Sequence, residues 1–266
     1  WKNMRTLIIL LILLISILTL FQGETNLLEV LTEIPYRIKH PKDSWNALID
    51  ERLPRLLILF LAGASLAISG AISQSLFQNP LATPSTLGIH AGSSLAVLPI
   101  FAFSLHIPFP FLIPLTAFLG ALSTLLLVYF IAHYTGQSQM SSLILTGISI
   151  SIVLSSIQSS LLYIFREDWS LIYALTEWNA GSSSQLNWQD FHMIFPLASI
   201  GIYLSWKIHE ELNILSLGEE TALNLGVDLK RVKQEAFLII GLLTGGALAT
   251  IGSLSFFGFL LPHLFR

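Results

Sequence analysis

Cysteine is absent from these 266 residues, which excludes disulfides, thiolate metal sites and cysteine nucleophiles. Charge is scarce too: Asp, Glu, Lys and Arg make up 11% of the chain, against roughly 25% in soluble domains. Between Leu56 and Phe165 none of the four occurs. Ion-coupled pumps and proton relays keep ionisable groups within the membrane, so this gap counts against a proton-driven carrier. Sodium coupling through carbonyls and hydroxyls stays open. The phosphate cradle GxxxxGK[ST] is missing, and the glycine-rich GGALATIGS, Gly245 to Ser253, has no lysine. The seven histidines form no HxxxH or HExxH pair, and there is no GxSxG elbow. Those absences leave no catalytic constellation, no metal-ligand set and no cofactor motif. The net charge of −3 gives no support for nucleic-acid binding.

What remains is apolar. Hydrophobic residues make up 53% of the chain and its mean hydropathy is +0.73, the balance of an all-α polytopic membrane protein. With about 20 apolar residues per span, helices are expected near Met4–Phe21, Pro54–Phe77, Ser85–Leu105 and Phe109–His133. Others follow near Ser141–Phe165, Phe191–Trp206 and Ala236–Ser253, with an eighth beginning near Phe256. The first run sits behind Lys2 and Arg5 and has no small-x-small cleavage site after Phe21, so it reads as a retained anchor. The chain opens on Trp1, ahead of Met4, and stops at Arg266 within SFFGFLLPHLFR. These ends suggest a fragment lacking C-terminal membrane helices. With the N-terminus inside, basic residues number six on each side, so charge does not settle the orientation.

Several spans carry polar faces. At 100° per residue, Gly63, Ala67, Gly70, Gln74 and Gln78 share one face of the second helix. Its small outer half suits close backbone approach, and its two amides suit either helix packing or a pathway. On the fifth helix Ser142, Thr146, Ser149, Ser156 and Ser160 form one stripe, with Ser151, Ser155 and Gln158 opposite. Serine hydroxyls can return their bond to the carbonyl four residues back, so they are cheap in lipid. Two opposed stripes still suggest a helix between a neighbour and a water-filled path. Between the second and third helices, Asn79-Pro80 should end one and Thr83-Pro84 should start the next, with Thr83 as capping hydroxyl. Gly88 and Gly92 then offer a second small face.

The charged loop Asn213–Ala236 stands apart. Ser216 with Glu219 has the spacing of a capping box, Gly226 can end the short helix that follows, and Asp228 can cap a second short turn. Leu217, Ala222, Leu223 and Leu225 give the loop an apolar side. It fits a connector lying on the headgroups or a docking element for a soluble partner.

Four stretches together resemble the permeases of type II ABC importers for iron-siderophores, haem and vitamin B12. They are RLPR (Arg52–Arg55), LAGASLAISGAISQSLFQNPLATPSTLGIHAGS (Leu61–Ser93), SLGEETALNLGVDLKRVK (Ser216–Lys233) and GSLSFFGFLLPHLFR (Gly252–Arg266). The resemblance implies a ten-helix permease fold, with about seven and a half helices in residues 1–266 as one transmembrane domain. It also implies a second permease subunit (identical or different), two cytoplasmic ATPase subunits and an extracytoplasmic substrate-binding protein, all at the bacterial inner membrane. Orientation follows: N-terminus in, Gly23–Arg52 out, Asn213–Ala236 in. Arg52 and Arg55 match arginines that meet glutamates of the binding protein. Asn79 and Leu81 match a cytoplasmic gate, and Met140 and Ser141 fall where a second gate lies, with methionine in place of a smaller polar residue. Gln74, Gln78 and the Ser142 stripe become candidates to line the pathway. Leu217, Gly218, Glu219, Glu220, Ala222, Leu225, Gly226 and Lys230, within the loop 213–235, match the ATPase-coupling element. Iron-siderophore is the expected cargo, with haem or cobalamin as alternatives. A secondary carrier working alone is the rival reading, and an intramembrane enzyme a third.

Overall fold

Apolar runs uninterrupted by charge or left-handed backbone become long helices, because lipid cannot satisfy a free peptide group. The computed structural model describes residues 2–21, 27–40, 44–103, 111–134, 140–184 and 186–253, and every regular element among them is helical. They are α1 (Lys2–Phe21), α2 (Leu27–Lys39), a π-helical turn (Ala47–Arg52), α3 (Leu53–Leu76), a 3₁₀ turn (Pro84–Leu87), α4 (Ile89–Ala102) and α5 (Leu112–Tyr134). After these come α6 (Met140–Ile164), α7 (Trp169–Ala180), α8 (Trp188–Lys207), α9 (His209–Leu215), α10 (Glu219–Asn224) and α11 (Leu229–Ile251). Among the described residues, four stretches are long and apolar enough to cross a membrane: Ala47–Leu76, Leu112–Tyr134, Ser142–Ile164 and Leu229–Ile251. α8 and α9 make a fifth if taken as one span, bent by 59°.

The chain divides into two compact units, residues 1–60 with 183–192, and residues 61–182 with 193–266. In the first, Asn46 caps the π turn by accepting from the Leu48 and Ile49 amides, and its own side chain donates to the Val30 carbonyl at 2.8 Å. Arg37 grips Asp50 through two bonds of 2.6 and 2.7 Å, tying α2 to that turn. Trp188 Nε1 donates to the Ile49 carbonyl at 2.9 Å.

In the second unit, Leu76, Leu87, Leu125, Ile208, Leu215 and Ile240 belong to one buried apolar cluster. α11 is the central helix, with 72% of its apolar window buried, whereas α6 has 17%. α4 crosses α5 at Gly92 and Gly120, so closely that a Cβ on Gly120 would lie 2.5 Å from the Gly92 carbonyl oxygen. At Gly63, by contrast, a Cβ would meet nothing within 4 Å among the described residues of this chain.

Three expectations need correction. The third span does not run unbroken from Ser85: Gly88 takes φ 80 and separates the 3₁₀ turn from α4. The 14 residues of α4 then reach about 21 Å, short of the roughly 30 Å hydrocarbon core. Thr83 starts the 3₁₀ turn without capping it, because its hydroxyl meets the Ser85 hydroxyl instead. Asp228 caps no separate short turn; it accepts from the Arg231 amide and opens α11 itself, seven residues before the span expected at Ala236. The eighth span, from Phe256, lies outside the described residues.

α7 was not foreseen. Asp168 opens it, accepting from the Ser170 and Leu171 amides and from the Ser170 hydroxyl. The Ser170 hydroxyl, and then the Leu171 amide, hold this carboxyl below its ordinary value. A lowered folded-state pKa means the stabilisation is present above the ordinary carboxylate value of about 3.9 and is lost as pH falls through the folded one. The protection of the Ser170 and Leu171 amides, measured against the intrinsic exchange rate at each pH, should therefore fall on acidification. Asp168→Ala should accelerate it already at pH 6, while Asp168→Asn should keep the cap at every pH, because its amide oxygen accepts without titrating.

Candidate functional site

The end of α3 is a Schellman turn. Gln78 N–H bonds the Ser75 carbonyl at 3.3 Å and Asn79 N–H bonds the Gln74 carbonyl at 3.2 Å, with Gln78 at φ 49. Asn79 then folds the next residues: its side-chain oxygen accepts from the Leu81 amide at 2.9 Å, and its carbonyl from the Ala82 amide at 3.0 Å. Leu81 is left 65% exposed at the tip, while Ala82 and Thr83 are buried beneath it. The turn touches α6 by backbone. A Cβ on Gly147 would collide with the Thr86 carbonyl oxygen and lie 2.9 Å from the Leu87 Cα. Met140 and Ser141 begin α6; their side chains lie outside the described residues. Gly147 was missed because its significance depends on a partner about 60 positions away in sequence, which no local pattern shows.

The two stripes of α6 have different surroundings. Gln158 Nε2 donates to the Ser94 hydroxyl at 2.9 Å, and Ser94 donates to the Asn179 side-chain oxygen at 2.7 Å, joining α6, α4 and α7. Ser151 returns its hydroxyl to the Gly147 carbonyl. On the other stripe Ser149, Ser156 and Ser160 are exposed, and Ser142 and Thr146 half-buried. Ser156 and Ser160 bond the carbonyls of Ile152 and Ser156. An open groove of about 500 Å³ runs along Ser151, Ile152, Ser155, Ser156 and Ser159. Gln74 does not share that surface. It is 2% exposed, and neither amide atom has a hydrogen-bond partner among the described residues. Gln78 is exposed, and its amide reaches the Leu215 carbonyl.

Leu215 leads into the charged loop. Ser216 makes no capping box there: its hydroxyl donates to the Asn213 carbonyl, and α10 is opened by Gly218 at φ 123 without a side-chain cap. The left-handed glycine inserted between Ser216 and Glu219 turns the serine away from the first-turn amides. Glu219 instead pairs with Lys233 of α11 at 3.1 Å. A second Schellman turn ends α10, with Gly226 at φ 81 and Val227 N–H bonded to the Ala222 carbonyl. Ala222 is fully buried, whereas Leu217, Leu223 and Leu225 are 70%, 58% and 62% exposed. Glu220 and Lys230 are exposed as well.

In the first unit, Arg52 and Arg55 have unlike environments. Arg52 is 8% exposed, and Nη1 donates to the Leu20 carbonyl at 3.0 Å. Arg55 is partly exposed and binds Glu51 at 2.7 Å and the Ser184 carbonyl at 2.8 Å. No group of three or more His, Asp or Glu side chains gathers as a metal site among the described residues.

Residues 6–266 match the model of the FecCD transport family. The "Fe(3+)-citrate import system permease protein YfmD" of Bacillus subtilis (strain 168) is 35% identical over 81% of this chain and 62% of its own length. The "Hemin transport system permease protein HmuU" of Yersinia pestis is 32% identical over 84% of this chain and 66% of its own. The "Vitamin B12 import system permease protein BtuC" of Vibrio vulnificus (strain CMCP6) is 33% identical over 100% and 77%. The chain thus spans a little under two thirds of the first two relatives. A solved metal-chelate type ABC transporter in an inward-facing conformation superposes with a TM-score of 0.80 at 26% identity, over 99% of this chain and 80% of that one.

Proposed function

This chain belongs to the FecCD transport family, and on that footing we propose that it is the membrane permease of an ATP-driven importer that brings iron(III)-siderophores across the bacterial inner membrane. Haem and cobalamin are the other cargoes that its relatives' names suggest. Residues 1–266 act as a single transmembrane permease domain, with 213–235 as its coupling loop. The observation that carries this reading is that loop. A short helix clamped to α11 by Glu219 and Lys233 carries exposed Leu223, with exposed Leu217 and Leu225 at its two ends, beside exposed charges. This surface suits a soluble partner better than lipid, and an ATPase subunit is the partner that the family supplies. Leu217, Gly218, Glu219, Glu220, Ala222, Leu225, Gly226 and Lys230 make or shape it. Asn79 and Leu81 form the gate turn, with Met140 and Ser141 as a second gate at the start of α6. The α6 stripe of exposed Ser149, Ser156 and Ser160 and half-buried Ser142 and Thr146 faces the path and a second permease subunit. Gln74 acts from within the protomer, since it lies off that groove.

The test uses the full-length permease, purified with its ATPase and binding protein and reconstituted in proteoliposomes. Uptake of iron(III)-siderophore should depend on ATP and exceed uptake of haemin and cobalamin. Burying a leucine contributes about 1.5–3 kcal/mol. Replacing Leu217, Leu223 and Leu225 together with Asp should therefore reduce ATPase co-purification by well over tenfold without lowering membrane insertion. Uptake by the permease alone, without its ATPase, would establish a secondary carrier instead.

A further inference from the structure

The two Schellman turns of the second unit differ in one respect. At the end of α10 the left-handed position is Gly226; at the end of α3 it is Gln78, the one non-glycine residue with positive φ among the described residues. Left-handed backbone crowds a Cβ against its own chain, and glycine removes that strain at no steric cost. As a helix stop alone, the α3 turn would be better served by glycine. The side chain is engaged elsewhere: Nε2 of Gln78 donates to the carbonyl of Leu215 at 3.2 Å, across 137 positions of sequence.

Both ends of this bond are anchored. Leu215 is fully buried in the same apolar cluster as Ala222 and Val227, so its backbone is packed as one body with the base of the charged loop. The Leu215 carbonyl also accepts from the Gly218 amide, which fixes the start of α10. At the other end Phe77, next to Gln78, packs edge-on against Phe237 of α11 with ring centres 6.3 Å apart. Asn79, on its other side, holds the turn that carries Leu81.

We infer that Gln78 is a strut, a positioning residue whose amide carries displacement of the loop 213–235 to the turn Asn79–Leu81. Its strained backbone is retained because glycine would lose the bond to Leu215. The inference rests on the chain working as an ATP-driven permease. Three variants separate the strut from the turn. Gln78→Gly relaxes the turn and removes the strut. Gln78→Glu keeps the length and the left-handed strain but has no donor for the carbonyl at neutral pH. Gln78→Lys restores a donor on a longer stem.

The full-length permease, labelled before assembly with its ATPase in nanodiscs, can carry spin labels on Leu81→Cys and Asn224→Cys; residues 1–266 contribute no competing thiol. The unsubstituted strut and Gln78→Lys should give one narrow distance distribution with and without ATP, the two labels moving together. Gln78→Gly and Gln78→Glu should broaden it. In proteoliposomes supplied separately with iron(III) citrate, haemin or cobalamin, cargo imported per ATP should fall about fivefold in those two variants, with the hydrolysis rate maintained. Narrow distances and an unchanged ratio in Gln78→Gly and Gln78→Glu would reduce the residue to a helix stop and overturn the strut. A permease that moves none of the three cargoes would overturn the transport reading instead, and the label distances would still decide the strut.

Discussion

Gly120→Ala should lower the thermal midpoint of the purified permease by about 2–12 °C, while Gly63→Ala should leave it unchanged. A methyl on Gly120 would sit 2.5 Å from the Ala96 Cβ and 2.5 Å from the Gly92 carbonyl oxygen. Both neighbours are stiff, so α4 and α5 must separate. Overfilling a packed contact costs about 1–3 kcal/mol, and about 2–4 °C accompanies each kcal/mol in a protein of this size. Gly147→Ala should be comparably damaging, because the Thr86 carbonyl and the Leu87 Cα are backbone atoms that cannot rotate away. Its harm should also reach the turn that follows α3, seen as faster hydrogen exchange at Thr86 and Leu87. A Gly120→Ala protein as stable as the original would mean that the two helices do not cross this closely.

The second large effect is a separation of the two arginines that sequence spacing pairs. Arg52→Glu places a carboxylate against the Leu20 carbonyl in a buried position and removes that carbonyl's donor. An uncompensated buried charge costs about 3–5 kcal/mol, so this variant should reach the membrane poorly whatever docks outside. Arg55→Glu loses a partly exposed pair with Glu51, worth about 0–1 kcal/mol, and should express normally. If Arg55 meets acidic groups of the binding protein, affinity should fall by about tenfold or more at low salt, and the loss should shrink as salt screens it. Equal affinity for both proteins across a salt titration would remove Arg55 from the docking surface.

The helices that sequence reading located well are those in which hydropathy alone decides the outcome. α3, α5 and α6 begin and end within three residues of the expected runs. Hydropathy could not see that Gly88 would adopt a left-handed conformation and shorten α4, because glycine adopts either hand until packing chooses. It also passed over α7, which packs Leu171 and Leu175 inward but carries Asn179 and Glu177 among its 12 residues. A helical wheel put Gln74 and Gln78 on one face, but α3 ends at Leu76 and the left-handed turn at Gln78 takes that side chain off the helix. Gln74 is enclosed with no hydrogen-bond partner among the described residues, whereas Gln78 is exposed and bonded to a residue on α9. The same holds for α6: both hydroxyl stripes were legible, but which one meets α4 depended on Ser94 lying within reach of Gln158.

The long charge-free stretch that contains α4, α5, nearly all of α3 and all of α6 has an electrical consequence. With its histidines neutral, residues 56–165 carry no net charge that could move through the field of an energised membrane. Each unit charge carried across 100 mV would cost or release about 2.3 kcal/mol. Tilting or sliding these helices alone does no such work, so a displacement of the turn at Leu81 or of the α6 groove should require the same energy in a respiring cell as in a depolarised one.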